Sequence, residues 1–405
     1  MTSSDNDNPQ RDAEPNAEPD TDPDTENPSL PSGAERYFDK ARARLLLNDP
    51  AARDALLRGA EKKADQHKDF LSGSLDSLTT MFHLLGDHFT GRYRHVSKGT
   101  LISVLAGILY FVNPMDLIPD MTPGIGFFDD MAVISFVGYM SVKELHAFRT
   151  WRRAKDWASP IEQITSADVA EAYWVPGWLT QDSEQREQLD MLQSFYPNAT
   201  IRERRWDSNQ SWSDSVVASE KFAEQLAAEI ASRSRGDRAK IVLAGHSLGA
   251  RAVAHALKKL ADKGHAPISH ALLLGSAIDD TPSDGLLESL GRSTELGVWN
   301  LHSKSDGVIK YLYSAAQSSG AAGATGFVDP PEGVTNVKTA GFEESVYSHL
   351  QNGLALSALA GRGAALARIA GFDRFRHEFL GLDRHSSLVY LKFLADALEH
   401  ARMGE

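Results

Sequence analysis

The chain has 405 residues, 42% of them hydrophobic, which is enough for buried cores and more than one compact domain usually takes. It has no cysteine, which excludes disulfides, thiolate metal sites and cysteine nucleophiles. Its net charge of -13 has the wrong sign for a nucleic-acid binder, and no basic stripe offsets it.

Much of that charge lies at the start. Residues 1–33 hold nine carboxylates, from Asp5 to Glu26, against the single Arg11. A segment so rich in Pro, Asp, Glu, Asn and Ser cannot bury enough surface to offset its ordering entropy. Residues 1–34 are therefore expected to form a disordered, solvating acidic tail. No basic segment followed by an apolar run opens the chain, so a cytoplasmic protein without a signal peptide is expected.

Residues 35–157 read as a helical domain. Leu45, Leu46, Leu56, Leu57, Leu75, Leu78, Met81, Phe82 and Leu85 recur at three- and four-residue spacings. Two apolar segments follow, Leu101–Val112 and Phe127–Met140, separated by a turn with Pro114, Pro119, Pro123 and Gly124. Together they predict a helical hairpin. Its arms of 12 and 14 residues fall short of the roughly 20 that a spanning helix needs, which favours a buried hairpin over one that lies on or dips into a membrane. Asp116, Asp120, Asp129 and Asp130 invite an oxygen-ligand site for Mg²⁺ or Ca²⁺. Asp129 and Asp130 are explained better as caps at a helix start, and no metal is assigned. Through Pro114, Asp116, Ile118, Pro119, Asp120, Pro123, Gly126, Asp129 and Asp130, residues 37–143 resemble the YkvA-like family of small helical domains. That family implies no established chemistry.

After Trp157 short β-like runs alternate with helices. The runs are Ala172–Val175, Thr200–Arg205, Ile241–Ala244, Ala271–Leu274, Gly297–Leu301 and Val334–Thr339. Helices are predicted at Glu184–Phe195, Ser215–Ser232, Leu248–Asp262 and Ser386–His400. Such alternation predicts an α/β domain over residues 165–405, with a mostly parallel sheet covered on both faces. The Ala/Gly/Leu-rich stretch Gly353–Gly371 reads equally as a core helix pair, a lid or an interfacial element.

The chemistry gathers around Gly245-His246-Ser247-Leu248-Gly249, which follows a predicted strand and opens a predicted helix. G-x-S-x-G in that setting is a nucleophile elbow: the serine takes strained backbone angles and the glycines avoid collisions. Ser247 is thus the candidate nucleophile of an α/β-hydrolase fold. A serine hydroxyl needs a base, and in this fold an acid and then a histidine follow the nucleophile along the chain. Asp306, after the second strand beyond the serine, is the candidate acid; Asp280 and Asp279 are alternates, and Asp306 could also cap a helix over Gly307–Ser314. His385, in a loop directly before the last helix, is the candidate base, with His349 as alternate. His377 reads as solvated and His400 as a surface residue. The oxyanion formed in acyl transfer needs two N–H donors, expected from Leu248 and from Trp178 in Trp174-Val175-Pro176-Gly177-Trp178.

Val175-Pro176-Gly177-Trp178-Leu179, Arg205-Trp206-Asp207-Ser208, Gly245–Arg251 and Ser303-Lys304-Ser305-Asp306 with Lys310-Tyr311-Leu312-Tyr313 carry a second resemblance. Residues 170–400 are similar to a family of α/β hydrolases that includes the transmembrane and coiled-coil domain-containing protein four. The resemblance implies a serine hydrolase, often tied to membranes, and supports Ser247 and Asp306; the stretch before His385 departs from it. A cofactor-free hydrolase of carboxylic esters, small or lipid, is the resulting expectation, with membrane-surface association and protein partners left open. The rival is a non-catalytic α/β scaffold carrying a membrane or protein adaptor. An incomplete triad, with no histidine in reach of Ser247, would favour that rival.

Overall fold

The computed structural model describes residues 39–66, 75–112, 137–138, 141–178, 180, 182–304, 306–313, 317, 319–339 and 385–403. The acidic tail, the carboxylate-bearing turn, most of the second apolar segment, the Gly353–Gly371 stretch, His349 and His377 lie outside the described residues.

Among the described residues five helices build the first part: α1 (Lys40–Leu47), α2 (Pro50–Gln66), α3 (Leu75–Phe89), α4 (Lys98–Val112) and α5 (Val142–Ala154). They share one core, which includes Leu78, Leu84, Leu85, Val104, Leu105, Ile108, Phe111 and Phe148. The first apolar segment is α4, and it is buried on most of its circumference. A Cβ at Gly107 would stand 2.9 Å from the Val137 side chain, so the two apolar segments touch there. Among the described residues no helix is long and apolar enough to cross a membrane.

A short turn at Lys155–Trp157 and helix α6 (Ala158–Thr165) lead into six strands: β1 (Glu171–Val175), β2 (Thr200–Glu203), β3 (Ile241–His246), β4 (His270–Leu274), β5 (Val298–His302) and β6 (Val334–Lys338). All neighbours pair in parallel, in the order β2-β1-β3-β4-β5-β6. Each strand that the sequence predicts is present, within two residues at either end.

The inner strands β1, β3, β4 and β5 read as largely apolar runs because both faces of the sheet are covered there. Tyr173, Val175, Leu243, Ala271 and Leu273 face α8 (Trp212–Ala231), α9 (Leu248–Asp262) and α10 (Leu286–Arg292). Their neighbours Ala172, Trp174, Val242, Ala244, Leu272 and Leu274 face α6, α7 (Asp182–Phe195) and the last helix, α11 (Ser387–Met403). This two-sided parallel sheet, with a sharp turn at Ser247 between β3 and α9, is an α/β-hydrolase fold preceded by an all-helical part.

From β1 the chain steps outward to β2, then returns across β1 to β3. The strand order therefore reverses between β1 and β3, and in open α/β sheets the crevice beyond the strand ends at such a point is where ligands bind. The loop after β1 holds Trp178, and the turn after β3 holds Ser247.

The structure corrects one expectation outright. His400 is not a surface residue: it is 1% exposed. Its Nε2 donates to the Trp151 carbonyl at 2.9 Å, and its ring lies 4.4 Å from the Trp151 ring. Amphipathic periodicity placed it on the outer face of α11, but α5 covers that face, so a tertiary contact buries it.

Candidate active site

Ser247 sits at φ 55°, ψ -121°, a left-handed φ that a residue with a side chain adopts at a cost. The turn is held by its own backbone. The Ser247 N–H donates to Leu274 O at 3.0 Å, and its carbonyl accepts from Ala277 N at 3.2 Å and from Arg251 N at 3.2 Å. The flanking glycines answer to close approaches. A Cβ at Gly245 would lie 2.6 Å from the Gly249 carbonyl oxygen, and one at Gly249 would lie 2.2 Å from Val175 O. Serine is thereby pressed against the loop after β1. A Cβ on Gly177 would stand 3.0 Å from Ser247 Cβ, so only glycine lets that loop pass so near. Trp206 fixes the same loop by donating its indole N–H to Pro176 O at 2.8 Å.

His385, just ahead of α11, reaches Ser247: its Nε2 accepts from the serine Oγ–H at 2.9 Å. Its Nδ1–H donates to Asp306 Oδ2 at 2.8 Å, which fixes the tautomer that leaves Nε2 free to accept. Asp306 is fully buried, while the His385 side chain keeps 16% of its surface open. The two readings of Asp306 are both present. Oδ2 serves the imidazole, and Oδ1 accepts the Ile309 N–H at 3.0 Å, capping the turn that follows. That turn is a π-helix, Val308–Tyr313, where the sequence predicts an ordinary helix.

Asp280 and Asp279 are engaged elsewhere. Asp280 accepts from the hydroxyls of Thr281 and Thr325, both at 3.2 Å, and Asp279 accepts from Tyr313 Oη at 2.9 Å. His349 lies outside the described residues. Leu248 opens α9, where a peptide N–H has no acceptor within the helix. Trp178 is one residue beyond Gly177, on the loop beside Ser247, and its indole N–H is turned away to Gln210 O at 3.1 Å.

Two residues of the site escape sequence reasoning. Tyr390 is fully buried and donates its hydroxyl to Asp306 Oδ2 at 2.7 Å, the same oxygen that receives His385. Burial, and then the Asp306 charge, push its phenol well above the ordinary range, so it stays a donor. Gly275 makes room for it: at φ 51° its missing Cβ would fall 2.8 Å from the Tyr390 hydroxyl. An aromatic residue in an amphipathic helix reads simply as core, so no local signal marks Tyr390. The second residue is His246, inside the elbow itself. Its ring lies 4.6 Å from that of His385, and burial, then the neighbouring His385, hold it well below the usual histidine range. It is a neutral wall beside the His385 imidazole.

Comparison with known proteins agrees with this two-part layout. Residues 200–360 match the family described as Protein of unknown function (DUF726), and residues 100–136 match Protein of unknown function (DUF1232). The "Uncharacterized membrane protein YkvA" of Bacillus subtilis (strain 168) is 34% identical over 113 residues, 28% of this chain and 97% of the relative. Among solved structures, the monoclinic form of a Pyrobaculum calidifontis esterase has 16% identity and a TM-score of 0.23, covering 49% of this chain and 77% of its own. A second structure, titled a hyperthermophilic esterase from the same archaeon, has 12% identity and a TM-score of 0.23, covering 55% and 91%. Aligned to 97% of that Bacillus relative at 34% identity, the chain belongs to the YkvA family, and its residues 200–360, within the part that has the α/β-hydrolase fold, match the DUF726 model.

Proposed function

We propose that this protein is a serine hydrolase that cleaves carboxylic esters through an acyl-enzyme. The observation that carries the reading is the relay Ser247–His385–Asp306, closed at 2.9 and 2.8 Å on a strained serine. Its parts match the roles of a hydrolytic triad. The Ser247 oxygen attacks the acyl carbon as its proton passes to His385 Nε2. Asp306 holds the ring in place and stabilises the imidazolium. The Leu248 and Trp178 N–H groups receive the oxyanion. His385 then gives its proton to the departing alcohol, and water releases the acyl group by the same steps in reverse roles. The chemistry uses this chain's own side chains and peptide groups.

The rival reading, a non-catalytic scaffold, is disfavoured by the same geometry, since His385 stands within hydrogen-bond reach of Ser247. A position at a membrane surface goes with our reading, because the Bacillus relative is named a membrane protein while no described helix here can span one. Separating host-cell membranes from supernatant tests that part, and recovery wholly in the supernatant counts against it.

Labelling with a fluorophosphonate probe tests the chemistry. Wild type should label; Ser247→Ala should not; His385→Ala should label slower by about a hundredfold or more. A folded wild type that does not label, or a Ser247→Ala variant that does, overturns the proposal.

A further inference from the structure

A cleft of about 920 Å³ opens on the helical side of the molecule, where α3, α5, the Lys155–Trp157 turn and the end of α11 meet. None of the residues around Ser247 lines it. Five fixed cations do: Arg92, Arg149, Arg152, Arg153 and Lys155. Among the described residues three carboxylates line the cleft with them, Asp76, Asp87 and Asp156. In a chain of net charge -13, a cavity with a surplus of cations runs against the general sign.

The pairings leave that surplus in place. Asp76 is taken by Arg149 at 2.5 Å. Asp87 is shared: Arg92 approaches it to 2.6 Å and Arg152 only to 3.8 Å. One carboxylate cannot neutralise two guanidinium groups, and both arginine side chains keep over 40% of their surface in contact with solvent. His83, on the same wall, feels the result: burial first and the Arg152 charge second hold its imidazole below the ordinary range. Beneath the charges the floor is aromatic, formed by buried Phe148 and Trp151, with the Arg152 guanidinium 5.9 Å from the Phe148 ring centre.

Guanidinium forks match the oxygens of a phosphate, which offers several charged acceptors to several donors at once. We propose that this cleft is a binding site for a phosphate group, held by Arg152 and Arg153 with Arg92 in support and Asp87 as its internal competitor. The phosphate could arrive on a soluble molecule or on a phospholipid headgroup. The proposal is independent of the hydrolase reading.

The full chain tests it by titration calorimetry with inorganic phosphate, and by co-sedimentation with phosphatidylcholine vesicles with and without phosphatidic acid. Wild type should bind at least one probe; phosphate alone points to a soluble ligand, and preference for the phosphatidic acid vesicles to a lipid. The double variant Arg152→Ala/Arg153→Ala should bind about tenfold more weakly or worse, having lost two charge-assisted contacts. Asp87→Asn should bind more tightly, because Arg92 and Arg152 are released to the ligand. Melting temperatures confirm that both variants are folded. Wild type binding neither probe, a double variant that binds like wild type, or a folded Asp87→Asn that binds more weakly overturns the proposal.

Discussion

A single carboxylate organises the site. Asp306 Oδ2 accepts from His385 and from Tyr390, while Oδ1 accepts the Ile309 N–H. Three donors on a group with no exposed surface replace the water it lost, which is how a buried charge is kept. On the proposed reading, removing one should be felt at Ser247. Tyr390→Phe deletes only the hydroxyl, so we expect a folded protein whose fluorophosphonate labelling is slower by roughly threefold to thirtyfold, a hydrogen bond to a charged group being worth about 1.5–3 kcal/mol before compensation. An unchanged labelling rate in the folded variant would mean that Tyr390 only packs. At this scale the sequence is readable where chemistry demands a fixed order. Ser247, Asp306 and His385 follow from the elbow and from what must come after it. Tyr390 does not, because its partner is 84 residues away and an aromatic residue in a helix reads as core.

At the scale of elements, the elbow joins β3 to α9 by packing backbone on backbone. Gly249 is the tightest point: a Cβ there would stand 2.2 Å from Val175 O and 2.4 Å from Pro176 O. Neither carbonyl can retreat without disturbing β1 or the loop after it. Gly249→Ala should therefore destabilise the fold by about 3 kcal/mol or more, read from urea unfolding. A loss under about 1 kcal/mol would show that β1 gives way easily. The elements most faithfully predicted are those with a strong periodic signal. The inner strands β1, β3, β4 and β5 are largely apolar runs between polar breaks, and α9 runs over Leu248–Asp262 as its pattern requires. The π-helix after Asp306 was read as an ordinary helix because the wider turn leaves no mark in hydrophobic spacing. Helix α10 follows a Ser-Asp-Gly cluster that reads as loop, and it starts from Gly285 at φ 66°.

Across the whole molecule, α11 ties the parts together. One end adjoins His385 and carries Tyr390; the other lies on α5 through His400 and Trp151. Buried in the same helix, Asp396 is 8% exposed, and burial raises its carboxyl from 3.8 to about 7. The folded state thus holds a proton that the unfolded chain releases. Its stabilising contribution is complete below about pH 4 and is lost as the pH rises through 7. Asp396→Asn should then gain about 2–4 kcal/mol over wild type at pH 8 and nothing at pH 4, measured by denaturant titration at the two values. Five imidazoles, His83 among them, act in the opposite sense. Burial lowers His255 and His302 to about 4 and His270 to about 3, and holds His246 well below the ordinary range. Their contribution is present above pH 6.5 and lost as the pH falls towards 4, because the unfolded chain takes up protons that the folded one refuses. With five imidazoles against one carboxyl, wild type should lose stability steeply between pH 6 and 4.5. A flat thermal-melting profile over that range would contradict this.

What the sequence determined by itself is whatever local periodicity and chain order can encode: a helical part, a parallel α/β part, the elbow, and the succession of serine, acid and histidine. Those signals lie within a few residues of one another or obey a rule of order. What only the tertiary structure decided are the contacts between distant segments: the Tyr390 hydroxyl on Asp306, the burial of His400 under Trp151, and the five cations drawn around one cleft. The reason is physical. Burial, and with it charge state and hydrogen-bond partner, belongs to a residue's neighbours in space, and a helix does not know which of its faces another helix will cover.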